Sequence, residues 1–139
     1  MNEKKVQKTV DRNEVLKFLA NELKISLIRD YSPNGLQVEG QPGISSIVSG
    51  VTASLALIEA AVDLHADTLL VHHGYFWRNE NECIVGPKQK RIRLLLENNI
   101  NLIAYHLPLD CHPELGNNVQ LAKVLDLRPS GRFGENDIG

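Results

Sequence analysis

Cysteine is scarce in this chain of 139 residues, with only Cys83 and Cys111 present, and neither belongs to a Cys-x-x-Cys pair. A disulfide framework and a thiolate metal site are thereby both disfavoured, and the two thiols read as reduced and structurally incidental. Long apolar runs are absent as well. The longest, such as Thr68 to Val71 and Leu102 to Tyr105, fall far short of the roughly 20 residues a membrane-spanning helix requires. No charge of one sign dominates, the formal net charge being -2 with Lys and Arg scattered. That pattern leaves no electrostatic footprint for nucleic acid or anionic lipid. The opening Met-Asn-Glu-Lys-Lys has no apolar stretch behind it, so a secretory signal is not expected and a cytoplasmic address follows by default. Also missing are a Gly-x-x-x-x-Gly-Lys phosphate loop and a Gly-x-Ser-x-Gly nucleophile elbow.

What is present reads as a single globular α/β domain over residues 1–139. Hydrophobic residues make up 42% and charged ones 23%, and a chain of this size buries roughly two thirds of its unfolded surface. Asp11, with Glu14 three residues on, caps a helix carrying Val15, Leu16, Phe18, Leu19 and Leu23 at helical spacing. Ser32-Pro33-Asn34-Gly35 reads as a tight turn before a short strand, Leu36 to Val38. A strand is expected over Ile44 to Val51 and a helix over Ser54 to Leu64. Thr68 to Val71 has the continuous apolar character of a strand covered on both faces, and it stops at His72-His73-Gly74. A helix over Lys88 to Asn99, a second buried strand over Leu102 to Tyr105 and a helix over Val119 to Leu127 complete the alternation. Strands alternating with helices of this length predict right-handed crossovers and a mostly parallel sheet.

In such a sheet, ligands bind beyond the carboxyl ends of the strands. One buried strand ends in His72 and His73, and the next ends in His106 with Asp110 four residues later, so all four are expected on one edge. Neighbouring strand residues face opposite ways. His72 and His73 can therefore serve one cluster only if the strand ends there, and Gly74 lets the backbone turn away. The two imidazoles would then approach different ions, with Asp110 bridging them. Paired metals about 3.5–4 Å apart activate water in many hydrolases. Spacing alone also admits hydrogen-bonded strand-end histidines. His106 reads either as a site-facing group or as a histidine bonded to backbone, His65 and His112 as solvated surface residues, and Tyr75-Phe76-Trp77 as packing under a loop or an apolar wall beside the site.

The strings Asn34-Gly35-Leu36-Gln37-Val38, Val71-His72-His73-Gly74-Tyr75-Phe76-Trp77, and His106-Leu107-Pro108-Leu109-Asp110 followed by His112-Pro113-Glu114-Leu115-Gly116-Asn117-Asn118 together resemble the NGG-interacting-factor-three-like family, the GTP cyclohydrolase I type 2 homologues. The resemblance covers residues 11–127 and implies the front half of a two-half α/β fold, with 128–139 as a truncated end. It further implies a dinuclear site with His72, His73 and Asp110 as ligands, a donor set that suits divalent Zn, Mn, Fe or Ni; His106, from its strand position, is expected to line the site in a catalytic role without binding metal. It also implies homo-oligomeric rings, hexamers in intact members, with the metals facing an internal cavity, and a nucleotide such as GTP as the substrate of a metal-dependent hydrolase. A non-catalytic metal-binding or protein-interaction module is the alternative. The family's remaining ligands come from a His-x-x-x-Glu motif, and none exists here: the fourth residues after the five histidines are Leu69, Phe76, Trp77, Asp110 and Gly116.

Overall fold

A computed structural model describes residues 8–134; the amino-terminal run 1–5 read for a leader and the end 135–139 lie outside them. The elements in chain order are β1 (Val10–Asp11), α1 (Arg12–Glu22), β2 (Gly35–Val38), β3 (Gly43–Ile44), β4 (Ile47–Thr52), α2 (Leu55–Asp63), β5 (Thr68–His73), α3 (Gly86–Glu97), β6 (Asn101–Ala104), α4 (Leu107–Asp110) and α5 (Asn117–Val124). Asp11 caps α1 as its sequence suggests, its Oδ1 accepting from the amides of Asn13 and Glu14. Ser54 does the same for α2 through the Leu57 amide.

The main sheet has the order β2-β6-β5-β4. β4, β5 and β6 run parallel, as two strand-helix-strand crossovers demand. The sheet is nevertheless mixed rather than mostly parallel, because β2 lies antiparallel on the β6 edge and β1 pairs antiparallel with β3 in a separate ribbon. Alternation of side chains along β5 and β6 builds two cores. Leu69, Val71, Leu102 and Ala104 pack under α2 and α3 with Ile58, Ile92 and Leu95, while Leu70, Ile103 and Tyr105 face Leu16, Leu19 and Leu23 from α1 and its end. Three layers result, with β5 and β6 central.

The single strand expected over Ile44 to Val51 is broken into β3 and β4. Its interruption has a polar cause: the buried Asp67 carboxylate accepts from both the amide and hydroxyl of Ser45 and from the Ser46 amide, at 2.7, 2.7 and 3.0 Å. Fully buried Asn101 plays the matching part at the start of β6, accepting from the Gly40 amide and Arg12 and donating to the carbonyls of Gln41 and Asp67. These groups fix the amino ends of the parallel strands, leaving their carboxyl ends free to carry chemistry. Among the described residues, no helix is long and apolar enough to cross a membrane.

Candidate metal centre at the carboxyl ends of the central strands

β5 ends at His73 and β6 at Ala104, and their register, Val71 against Ala104, brings His72, His73 and His106 to one edge. The rings of His72 and His73 lie 4.5 Å apart and that of His106 lies 5.0 and 5.6 Å from them. One potential ligand atom from each lies within 4.8 Å of the others. Such convergence of two consecutive strand residues requires the backbone to leave the sheet directly afterwards. It does so at Gly74, where an added Cβ would overlap Gln37 Oε1 and stand 2.9 Å from the Ala104 Cβ. Gln37 uses that same oxygen to accept the Tyr75 amide at 2.7 Å.

Each imidazole is oriented by a partner. His72 Nδ1 lies 3.0 Å from the Tyr105 carbonyl, which can only accept, so Nδ1 carries the proton and Nε2 is the bare nitrogen of the neutral ring. That bare nitrogen is 3.5 Å from Asp110 Oδ2. Two lone-pair-bearing atoms face one another there, a donor pair that a cation between them would satisfy. Asp110 is steadied by Asn117, whose amide donates to Oδ1. It sits at the end of α4, a single turn opened by Pro108, rather than on a bare strand end. His73 contacts Thr52 Oγ1 at 3.4 Å. Its pKa is pushed below the ordinary histidine value by burial and by the neighbouring His72 and His106, with Asp110 opposing, which keeps its ring neutral and able to ligate.

His106 is buried, and its Nδ1 lies 3.0 Å from Asp30. Asp30 carries no signal in the local sequence pattern, yet its carboxylate accepts from the amides of Tyr31, Ser32 and Leu107, from Asn34 Nδ2 and from His106. Burial alone would raise its pKa, but the hydrogen bonds from Asn34, His106 and the Leu107 amide outweigh burial and hold the carboxyl below its ordinary range. Asn34 does more than form a turn. Its Oδ1 accepts the His106 amide at 2.8 Å, clasping the strand end across the sheet.

The aromatic run divides. Tyr75 is buried, its hydroxyl pushed up to about 12 by burial and donating to the Ala53 carbonyl at 2.6 Å. The chain then takes a left-handed φ of 65° at Phe76, and Trp77 returns to the site, its ring 4.9 Å from His106 and 5.8 Å from His73. Tyr31 joins it at 5.1 Å from His106. His65 is exposed, as expected. His112 is not the solvated residue its Pro-flanked loop suggests: its Nδ1 accepts the amides of Glu114 and Leu115, and its side chain is only 11% exposed. Cys83 is exposed and Cys111 partly buried.

Comparison with known proteins is consistent with this geometry. The family model described as Duf34/NIF3 (NGG1p interacting factor 3) matches residues 10–139. A GTP cyclohydrolase 1 type 2 homolog of Pseudomonas aeruginosa is 62% identical over 109 residues, which are 78% of this chain and 43% of that protein. Among solved structures, protein ybgI, of unknown function, superposes with a TM-score of 0.87 at 50% identity, over 88% of this chain and 50% of that one. TTHA1606 from Thermus thermophilus gives 0.81 at 40% identity, over 89% and 51%. The chain thus spans about half the length of the relatives it matches.

Proposed function

The chain belongs to the Duf34/NIF3 family, and on that premise we propose that the pocket at the ends of β5 and β6 is the amino-terminal part of a dinuclear divalent-metal centre in a cytoplasmic, ring-forming metal-dependent hydrolase. His72, His73 and Asp110 are the ligands, and His106 lines the pocket beside them. The observation that carries this reading is the bare Nε2 of His72 facing the Asp110 carboxylate at 3.5 Å, a donor pair suited to a cation. Imidazole and carboxylate together fit Zn, Mn, Fe or Ni without selecting one. A divalent ion bound there supplies Lewis acidity to a carbonyl or phosphoryl oxygen.

The chain's own residues do the rest. Tyr105 and Asp30 orient two of the imidazoles, Asn117 steadies Asp110, and Trp77 and Tyr31 set their rings edge-on against His106. A purine nucleotide is the proposed substrate, resting on the name GTP cyclohydrolase 1 type 2 homolog carried by relatives such as that of Pseudomonas aeruginosa. Calorimetric titration with Mn²⁺ and Zn²⁺, run beside a GTP turnover assay, tests the proposal. Three ligands cannot fully hold two ions, so weak or single occupancy with little turnover is expected from this chain, and Asp110→Asn should abolish what binding there is, since the amide loses the charge and one anionic oxygen. Unchanged stoichiometry and affinity in Asp110→Asn would remove Asp110 from the ligand set. Tight binding without any turnover, in a full-length relative, would favour a non-catalytic metal-binding module.

A further inference from the structure

We infer that Asp30 is a positioning residue that locks His106 in the tautomer with the proton on Nδ1, so that Nε2 offers a lone pair. The inference extends the reading of the pocket above but stands on different contacts. Asp30 is almost wholly buried, its side chain 3% exposed, and every group that touches its carboxylate is a hydrogen-bond donor or, in the case of His106, can become one. Oδ1 accepts the amides of Tyr31 and Ser32 at 2.7 and 3.2 Å, and His106 Nδ1 lies 3.0 Å away. Oδ2 accepts Asn34 Nδ2 and the Leu107 amide, each at 2.9 Å. An ionised carboxylate has no proton to give. His106 must therefore donate from Nδ1, and in a neutral ring that leaves Nε2 unprotonated.

The surroundings give the ring no freedom to choose otherwise. Its own amide is held by Asn34 Oδ1, and the edge contacts of Tyr31 and Trp77, at 5.1 and 4.9 Å, confine its plane. Asn34 in turn donates to Asp30, so one loop, residues 30–34, fixes both the position and the protonation pattern of a histidine 76 residues away. Presented in this way, His106 can accept a proton from a group in the pocket, which is what a positioned base does.

Asp30→Asn breaks the logic only in part. Its single oxygen can serve either the Oδ1 donors or the Oδ2 donors, and the amide nitrogen must face the other set. With the oxygen toward Tyr31, Ser32 and His106 the Nδ1 proton keeps its acceptor, so Asp30→Asn is compatible with either tautomer, whereas Asp30→Ala removes both oxygens and leaves Nδ1 no carboxylate to donate to. Long-range ¹H–¹⁵N correlation spectroscopy of the metal-free chain, at a pH where the imidazoles are neutral, reads this directly. The native chain is expected to show a protonated Nδ1 and a bare Nε2 on His106, and Asp30→Ala to lose that preference for Nδ1. His72, whose Nδ1 is committed to the Tyr105 carbonyl, serves as the unchanged internal reference. A native His106 protonated on Nε2 overturns the inference without any variant, even should Asp30→Ala fail to fold. Retention of the full Nδ1 preference in a folded Asp30→Ala overturns it too, since a merely structural role for Asp30 would leave the tautomer alone. No metal and no turnover enter the measurement, so its failure and the failure of the hydrolase reading are separable.

Discussion

Replacing Gly74 by alanine adds one methyl group at the point where the chain leaves β5, and the structure sets its consequence. The new Cβ would overlap Gln37 Oε1 and approach the Ala104 Cβ to 2.9 Å. Ala104 lies in a wholly buried central strand and cannot yield, so Gln37 must. Moving Gln37 breaks its bond to the Tyr75 amide. Overpacking of this kind costs about 1–3 kcal/mol, and the lost bond adds about 1 kcal/mol, giving an expected destabilisation of about 2–4 kcal/mol in urea unfolding. Gly131→Ala, where nothing lies within 4 Å of the added atom, is the control and should stay within about 0.5 kcal/mol of the native chain. Gln37→Ala removes the main obstacle while orphaning the Tyr75 amide. The double variant should consequently be more stable than the sum of the two single effects, by about 1 kcal/mol or more. A Gly74→Ala chain within about 0.5 kcal/mol of native, or strict additivity with Gln37→Ala, would refute the account of why a glycine follows the two histidines.

Two further expectations concern pH and assembly. The folded-state pKa of His73 lies below its ordinary 6.5, so between the two values the unfolded chain binds more protons, and stability must fall as pH drops through 6.5 toward the lowered value; urea midpoints across this window should show a shallower decline in His73→Gln, and an unaltered slope would count against a depressed His73. β4 is an edge strand with Val51 67% and Ile47 49% exposed, a surface prone to strand pairing. Static light scattering should detect concentration-dependent self-association that Val51→Lys reduces, and a native chain monomeric throughout would remove that edge as the source.

Much of the architecture is visible in residue order because it follows from short-range rules. The capping pair Asp11 and Glu14, the apolar runs ending in His72 and in His106, and the helix between them are enough to bring four metal-capable residues to one sheet edge. Alternation identifies Leu36 to Val38 as a strand but carries no direction, which is why the antiparallel seating of β2 cannot be read from it. The break between β3 and β4 depends on Asp67, more than 20 residues away, and α4 on a turn begun by Pro108 beneath a histidine already claimed for the strand end. Asp30 is illegible for the same reason. Its importance lies in partners 76 and 77 residues distant, and a lone aspartate in a loop before a turn looks like any other.

The clasp between residues 30–34 and His106 also bears on the order in which this protein assembles. β4, α2, β5, α3 and β6 form a contiguous run whose contacts close over modest sequence separations, whereas the Asp30 and Asn34 bonds close a loop of more than 70 residues, and such closures come at an entropic cost that grows with length. During folding, His72 and His73 can therefore meet at the end of β5 before His106 has an anchor. Loop-closure entropy thus predicts that the histidines and the loop that disciplines them are joined late, when the amino-terminal segment docks.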